Sequence, residues 1–170
     1  MPIRKIITTP HPVLRGKAKK VVIFDADLHQ LIDDMIETMR EAPGVGLASP
    51  QVNEPLSLFV AEFGDENDEE APLQLYTFVN PKITKTSKET EVGVEGCLSI
   101  PGIVGDVIRP HSATIEGSDR DGNPIKMEAE GWLARIFQHE TDHLHGVLFT
   151  DHALSVWEPE VDVGQVSSAD

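Results

Sequence analysis

Residues 139–143 read His-Glu-Thr-Asp-His, and two histidines four positions apart leave few choices for the local fold. On an α-helix such residues lie one turn apart on the same face, so both imidazoles can bind a single metal ion. Glu140 is rotated by about 100° from His139, close enough to act on a water at that ion without being a ligand. The spacing therefore predicts a helix that supports metal-assisted hydrolysis.

Two helices are predicted from the spacing of apolar residues. The first begins at Asp25 or Asp27, either of which can cap it, and ends at Pro43-Gly44. Its apolar face comprises Leu28, Leu31, Ile32, Met35, Ile36 and Met39. The second begins at Gly131, carries residues 139–143 and ends near Gly146. Its apolar positions are Trp132, Leu133, Ile136, Phe137, Leu144 and Val147.

The sequence between these helices is typical of strands and turns. The predicted strands are 56–63, 75–79, 83–94, 103–108 and 113–116. Residues 64–72 form an acidic, solvated hairpin loop, and Asp121-Gly122 marks another hairpin turn. We expect one α+β domain over residues 1–152, with antiparallel or mixed sheets around the helix of 139–143. Residues 153–170 are expected to form a polar, frayed tail.

Charge and composition exclude several classes of protein. The chain has 29 acidic and 14 basic residues and a formal charge of -15. Residues 1–24 hold six of the basic residues and no acidic one, which leaves −21 on the remainder. This excess opposes extended binding to a nucleic-acid backbone. No apolar run approaches the roughly 20 residues that span a bilayer, and no secretory core is evident, so a cytoplasmic location is expected.

A catalytic metal site usually has three protein ligands and one open position. Downstream of the two histidines, the candidates for the third ligand are His145, Asp151 and His152. Upstream, Cys97 is the single cysteine of the chain and lies in a glycine-containing turn. A solitary cysteine is most often an inert buried side chain, yet a thiolate binds borderline metals strongly. Spacing alone therefore leaves open whether the third ligand is the upstream cysteine or one of the downstream residues.

Three segments together resemble the signature motifs of the peptide deformylases. They are GVGLASPQ at 44–51, EGCLSIPG at 95–102 and QHETDHLHG at 138–146, in the family's order. The likeness extends to HPVLR at 11–15 and VIRP at 107–110. The resemblance implies the family's fold and removal of the N-formyl group from the initiator methionine of nascent polypeptides, a step of protein biosynthesis that releases formate.

The resemblance also implies the metal site. Carried over residue by residue, the metal ligands are Cys97, His139 and His143. Glu140 is implied as general base and acid, and Asp142 is expected to pair with Arg109. One divalent ion is implied, with Fe²⁺ favoured and Zn²⁺, Ni²⁺ or Co²⁺ as substitutes.

The same likeness implies the groups that meet the substrate. Gln51 and the backbone N–H of Leu98 are expected to donate hydrogen bonds to the developing oxyanion. Gly46 is small enough to admit the formyl group beside the metal. Val45 and Ile136 are expected to border the methionine pocket.

Departures from the family pattern leave other readings open. Many relatives carry an arginine soon after the cysteine turn, where this chain has Ile103-Val104, so recognition beyond methionine is expected to differ. Residues 161–170 contain acid and no base, which argues against ribosome docking through this end, although transient ribosome proximity is expected from the substrate. The alternatives are another metallohydrolase of the same helix motif, such as a peptidase with a downstream ligand, or a non-catalytic formyl-peptide-binding module.

Overall fold

A computed structural model of the chain describes residues 3–159. The helices are α1 (Ala26–Glu41), α2 (Gly131–His143) and the short α3 (Phe149–His152), with single 3₁₀ turns at Pro12–Arg15 and Ser49–Val52. The strands are β1 (Gly46–Ala48), β2 (Leu58–Phe63), β3 (Gln74–Thr86), β4 (Thr90–Cys97), β5 (Ile100–Pro110), β6 (Ser112–Ser118), β7 (Pro124–Glu130) and β8 (Ser155–Trp157).

The strands form two antiparallel sheets. One has the order β1-β2-β3-β6-β7, and the other has the order β4-β5-β8. α2 contacts all five strands of the first sheet and also β5 of the second, whereas α1 packs on β1 and β2. The predicted α+β fold around a central helix is therefore confirmed.

α1 follows the sequence prediction closely. Asp25 is its N-cap, and the carboxylate accepts a hydrogen bond from the Leu28 N–H at 3.0 Å. The predicted apolar face is buried against the first sheet, with Met35 and Met39 fully enclosed. Helix α1 thus covers β1, which lies within the segment of small residues at 44–51.

α2 is enclosed on nearly every side, which is unusual for a helix of such mixed composition. Phe137 packs against Phe59 and Phe78 of the first sheet, with ring centroids 6.0 and 5.2 Å apart. The polar face is buried as well, including His139 and Glu140. Because buried polar groups require partners, the neighbouring strands must supply hydrogen-bonding or charged side chains to that face.

Several expectations from the sequence need correction. The predicted strand 83–94 is wrong as one element, because β3 ends at Thr86 and β4 begins at Thr90. The expected fraying of residues 153–170 is wrong for Ser155–Trp157, which pairs with Val104, Gly105 and Asp106 of β5. Residues 160–170 of the predicted tail lie outside the described residues. Within residues 3–159, no helix has the length and apolar character to cross a membrane.

Candidate metal centre

Three metal-binding side chains converge where β4 ends beside α2. Cys97 is the last residue of β4, and His139 and His143 lie one turn apart on α2. Their ligand atoms all lie within 4.8 Å of one another, and all three residues are buried. The Cys97 sulfur is 3.4 Å from Nε2 of His143. The structure therefore brings together the three residues that the resemblance implied as ligands.

The orientation of His139 is fixed by a buried carboxylate. Nδ1 of His139 lies 2.9 Å from Oε1 of Glu95, so this nitrogen carries the proton and Nε2 presents its lone pair. Nε2 is buried and has no hydrogen-bond partner among residues 3–159. An unpaired buried nitrogen costs free energy, and a metal ion at the three donors would remove that cost. The residues present therefore fit a divalent metal.

Glu95 organises this side of α2, a role that the sequence motif alone does not indicate. Its carboxylate accepts hydrogen bonds from Arg109 at 2.6 and 2.9 Å and from Arg135 at 2.7 Å, besides the contact with His139. Burial opposes ionisation, but the hydrogen bonds from Arg109 and His139 hold the pKa of Glu95 well below its usual value. The expected pair of Arg109 with Asp142 is confirmed at 2.9 Å.

Burial shifts the protonation of the donors and of the neighbouring carboxyl. It raises the pKa of the Cys97 thiol to about 12 and lowers that of His143 well below its ordinary value. It also raises the pKa of Glu140 far above normal, with the negative charge of Glu95 as a further cause. In the absence of a metal, the thiol is therefore protonated and the His143 imidazole is neutral.

Glu140 lies in a site shaped by a glycine. Both carboxylate oxygens are buried, and neither has a hydrogen-bond partner in the described part of the chain. A Cβ on Gly46 would collide with this carboxylate. Only glycine at position 46 leaves Glu140 its present place beside the backbone of β1.

The two predicted oxyanion donors lie on segments that meet at Cys97. Oε1 of Gln51 accepts the Ala48 N–H at 2.9 Å, which directs its amide group toward the cysteine turn. Nε2 of Gln51 donates to Oγ of Ser99 at 3.0 Å and lies 3.7 Å from the Cys97 sulfur. Leu98 occupies the turn between β4 and β5. The structure places both residues next to the metal donors.

The two residues expected at the methionine pocket differ in exposure. Val45 is half-buried, whereas Ile136 is fully buried, and both belong to one apolar cluster with Trp132. A side chain at the surface of this cluster can contact a substrate directly, whereas Ile136 is reached only through its neighbours. Their assignment to a pocket stays a prediction.

The downstream alternatives for the third ligand lie elsewhere. His145 is exposed, and Asp151 is paired with Arg15 at 2.6 Å. His152 contacts Asp142 at 3.3 Å. None of the three joins the cluster formed by the cysteine and the two helix histidines. The tertiary structure thus favours the thiol of Cys97 as the third metal ligand.

A thiol and two imidazoles beside a buried carboxylate, on an α+β scaffold, are the groups that a metal-dependent hydrolase uses. The family model described as polypeptide deformylase matches residues 3–157. Since this match covers most of the sequence, the chain belongs to the peptide deformylase family.

Individual relatives agree with this assignment. The chain is 47% identical over 152 residues to a peptide deformylase of Mesorhizobium japonicum, covering 89% of this chain and 85% of that one. The crystal structure of peptide deformylase from Thermotoga maritima is 39% identical, with a TM-score of 0.83 over 91% of this chain and 100% of that one. A peptide deformylase from Synechococcus elongatus in complex with actinonin is 41% identical, with a TM-score of 0.81 over 91% and 81%.

Proposed function

We propose that this chain removes the N-formyl group from the N-terminal methionine of nascent polypeptides and releases formate. The observation that carries the proposal is the convergence of Cys97, His139 and His143 next to the unpaired carboxylate of Glu140. Family membership narrows the substrate class from amides in general to formyl-methionyl peptides. We further propose that the reaction takes place in the cytoplasm, in transient proximity to the ribosome.

Cys97, His139 and His143 would hold one divalent metal, for which we propose Fe²⁺. Such an ion supplies a Lewis acid that lowers the pKa of a water and polarises a carbonyl. Zn²⁺, Ni²⁺ and Co²⁺ suit the same thiolate and imidazole ligands. The hydrogen bond from His139 to Glu95 fixes the ligand's tautomer and orientation.

Glu140 transfers the proton that the attacking water loses. Its carboxylate accepts a proton as the water oxygen bonds to the formyl carbon, and the carboxylic acid then donates it to the leaving amine. The C–N bond breaks, and formate and a free amino terminus result. Burial raises the pKa of Glu140, so the protonated form between these two transfers is not costly.

Gln51 and Leu98 are proposed to stabilise the oxyanion. The amide group of Gln51 is held beside Cys97 by Ala48 and Ser99, so it needs little reorganisation when charge develops. The Leu98 N–H would supply the second donor. Removing one such donor typically costs about 10²–10³ in rate.

Gly46, Val45 and Ile136 are proposed to receive the substrate's first residue. The absence of a side chain at Gly46 lets the Glu140 carboxylate lie close to the backbone there, and the formyl group is proposed to bind beside these two residues. Val45 is proposed to contribute apolar surface of the kind that a methionine side chain requires, and Ile136 to support it from inside the same apolar cluster.

The test is anaerobic purification, assay of metal content, and measurement of formate from formyl-Met-Ala-Ser. Wild type is expected to turn over, Glu140→Ala is expected to keep its metal and lose turnover, and Glu128→Ala is the matched control on an exposed glutamate. No formate from metal-loaded wild type would reject the proposal. Retained metal and peptide-bond cleavage in Cys97→Ser would instead indicate a peptidase with a different third ligand.

A further inference from the structure

The N-terminal strap, residues 3–9, crosses the two segments that carry the proposed oxyanion donors. The Ile7 N–H donates to the carbonyl of Gln51 at 2.7 Å, and the Thr9 N–H donates to the carbonyl of Ser99 at 2.9 Å. Nε2 of Gln51 in turn donates to the Ser99 hydroxyl. Because the strap is bonded to both segments, its position affects how they lie relative to each other.

The strap is attached to α1 by Arg4. The Arg4 guanidinium contacts Oδ2 of Asp34 at 3.1 Å, and the Arg4 N–H donates to Oγ1 of Thr38 at 2.9 Å. The Asp34 side chain is only 2% exposed and accepts a further hydrogen bond from Gln30 at 2.7 Å. A buried carboxylate needs its charged partner, so this attachment is strongly retained.

Arg4 is close enough to the site for the attachment to matter. Ile7 lies three positions after Arg4, and extended chain spans at most about 10 Å over that length. Because the chain between them is so short, a displacement of Arg4 relative to α1 also displaces Ile7. Ile7 contacts the backbone of Gln51 itself, so the shift reaches the residue that would donate to the oxyanion.

We propose that Arg4 and Asp34 are positioning residues that hold the Gln51 amide in register with the cysteine turn through the N-terminal strap. The proposal rests on the proposed function, because it assigns an indirect role in stabilising that reaction's oxyanion. Interactions made only in the transition state affect kcat and leave KM nearly unchanged. A strap that served folding alone would leave both constants unchanged in the folded fraction.

The first test compares Arg4→Ala with the control Arg15→Ala, which removes an equal charge from a surface pair with Asp151. Misplacement of a catalytic group by about 1 Å costs up to 10² in rate, and we expect kcat of Arg4→Ala to fall about tenfold. KM is expected to change less than twofold, with full metal content. Arg4→Lys is expected to regain most of the loss, and Arg15→Ala to keep kcat within about twofold.

The second test asks whether Arg4 acts through Gln51. In a Gln51→Ala background, Arg4→Ala is expected to lower kcat no more than about threefold, because residues that act as a unit are not additive. A full tenfold loss in that background would overturn the proposal. Thr38→Val, which removes the acceptor of the Arg4 N–H without changing charge, decides the question if Arg4→Ala fails to fold.

The two proposals fail differently. Wild type that releases no formate overturns the proposed function and the role of the strap with it. Wild-type turnover combined with unchanged kcat in folded Arg4→Ala and Thr38→Val overturns the role of the strap alone.

Discussion

Replacing Glu95 by glutamine is expected to destabilise the protein severely, because two buried guanidinium groups depend on this carboxylate. The side chains of Arg109 and Arg135 are 6% and 4% exposed, and both donate to Glu95. In the variant, Asp142 is the carboxylate that remains within reach of Arg109, and it is 26% exposed. The substitution thus leaves an excess positive charge in a buried cluster.

The size of the effect follows from this geometry. Removing one partner of a buried ion pair typically costs about 3–5 kcal/mol, against a total stability of about 5–15 kcal/mol for a domain. For a chain of this length, about 2–4 °C is lost per kcal/mol, so the Tm of metal-free Glu95→Gln is expected to fall by about 6–20 °C. Thermal unfolding followed by calorimetry measures it. Glu91→Gln is the control, because Glu91 lies on the same strand but forms an exposed pair with His111.

The pH dependence gives a second measure of the same interaction. The folded-state pKa of Glu95 is depressed, so its stabilisation is complete above the ordinary carboxyl value of 4.5 and is lost as pH falls below it. The difference in Tm between wild type and Glu95→Gln should therefore be constant near neutrality and shrink in acid. A loss in Tm no larger than that of Glu91→Gln would refute the reasoning, as would a difference that grows as pH falls.

Three further results are expected. Gly46→Ala should lower kcat at least about tenfold with metal retained, because the new Cβ displaces Glu140. Gly16→Ala is the control and should leave kcat unchanged, because a Cβ there meets open space; equal kcat in the two variants would contradict this account. Glu66→Ala should lower the Tm by about 2–4 °C, because the Glu66 carboxylate accepts a hydrogen bond from the Trp132 N–H in the first turn of α2 at 2.9 Å. Glu69→Ala should change the Tm by less than about 1 °C, and an equal fall in Tm for both variants would argue against the cap. Chelator competition should show metal Kd falling about tenfold per pH unit between roughly pH 7.5 and 9, because the Cys97 thiol must lose its proton; a flat profile would exclude that coupling.

The acidic loop between β2 and β3 illustrates how a solvated segment acquires a structural role. Its five carboxylates follow the expectation of an exposed hairpin. Glu66 nevertheless reaches the first turn of α2, where the N-cap residue Glu130 makes no side-chain cap. A carboxylate there satisfies an unpaired N–H and interacts favourably with the helix dipole. The loop therefore helps to fix the helix that carries the metal donors.

The sequence by itself determined the features that depend on local spacing. Both long helices, the cap at Asp25 and the shared face of His139 and His143 follow from periodicity and capping, which act over a few residues. The signature segments determined the family, because three ordered motifs are far more specific than one. The strands were placed less well, since Ser155–Trp157 is a strand only because β5 offers its backbone as a partner.

Only the tertiary structure decided which residues share the site. Spacing left Cys97 and three downstream residues as alternatives for the third donor, and the approach of β4 to α2 favours the thiol. The Glu95 network and the attachment of Arg4 to Asp34 join positions far apart in sequence, so no local pattern reveals them. Their physical reason is common to both: a buried charge needs a partner, and the fold determines which residue lies within reach.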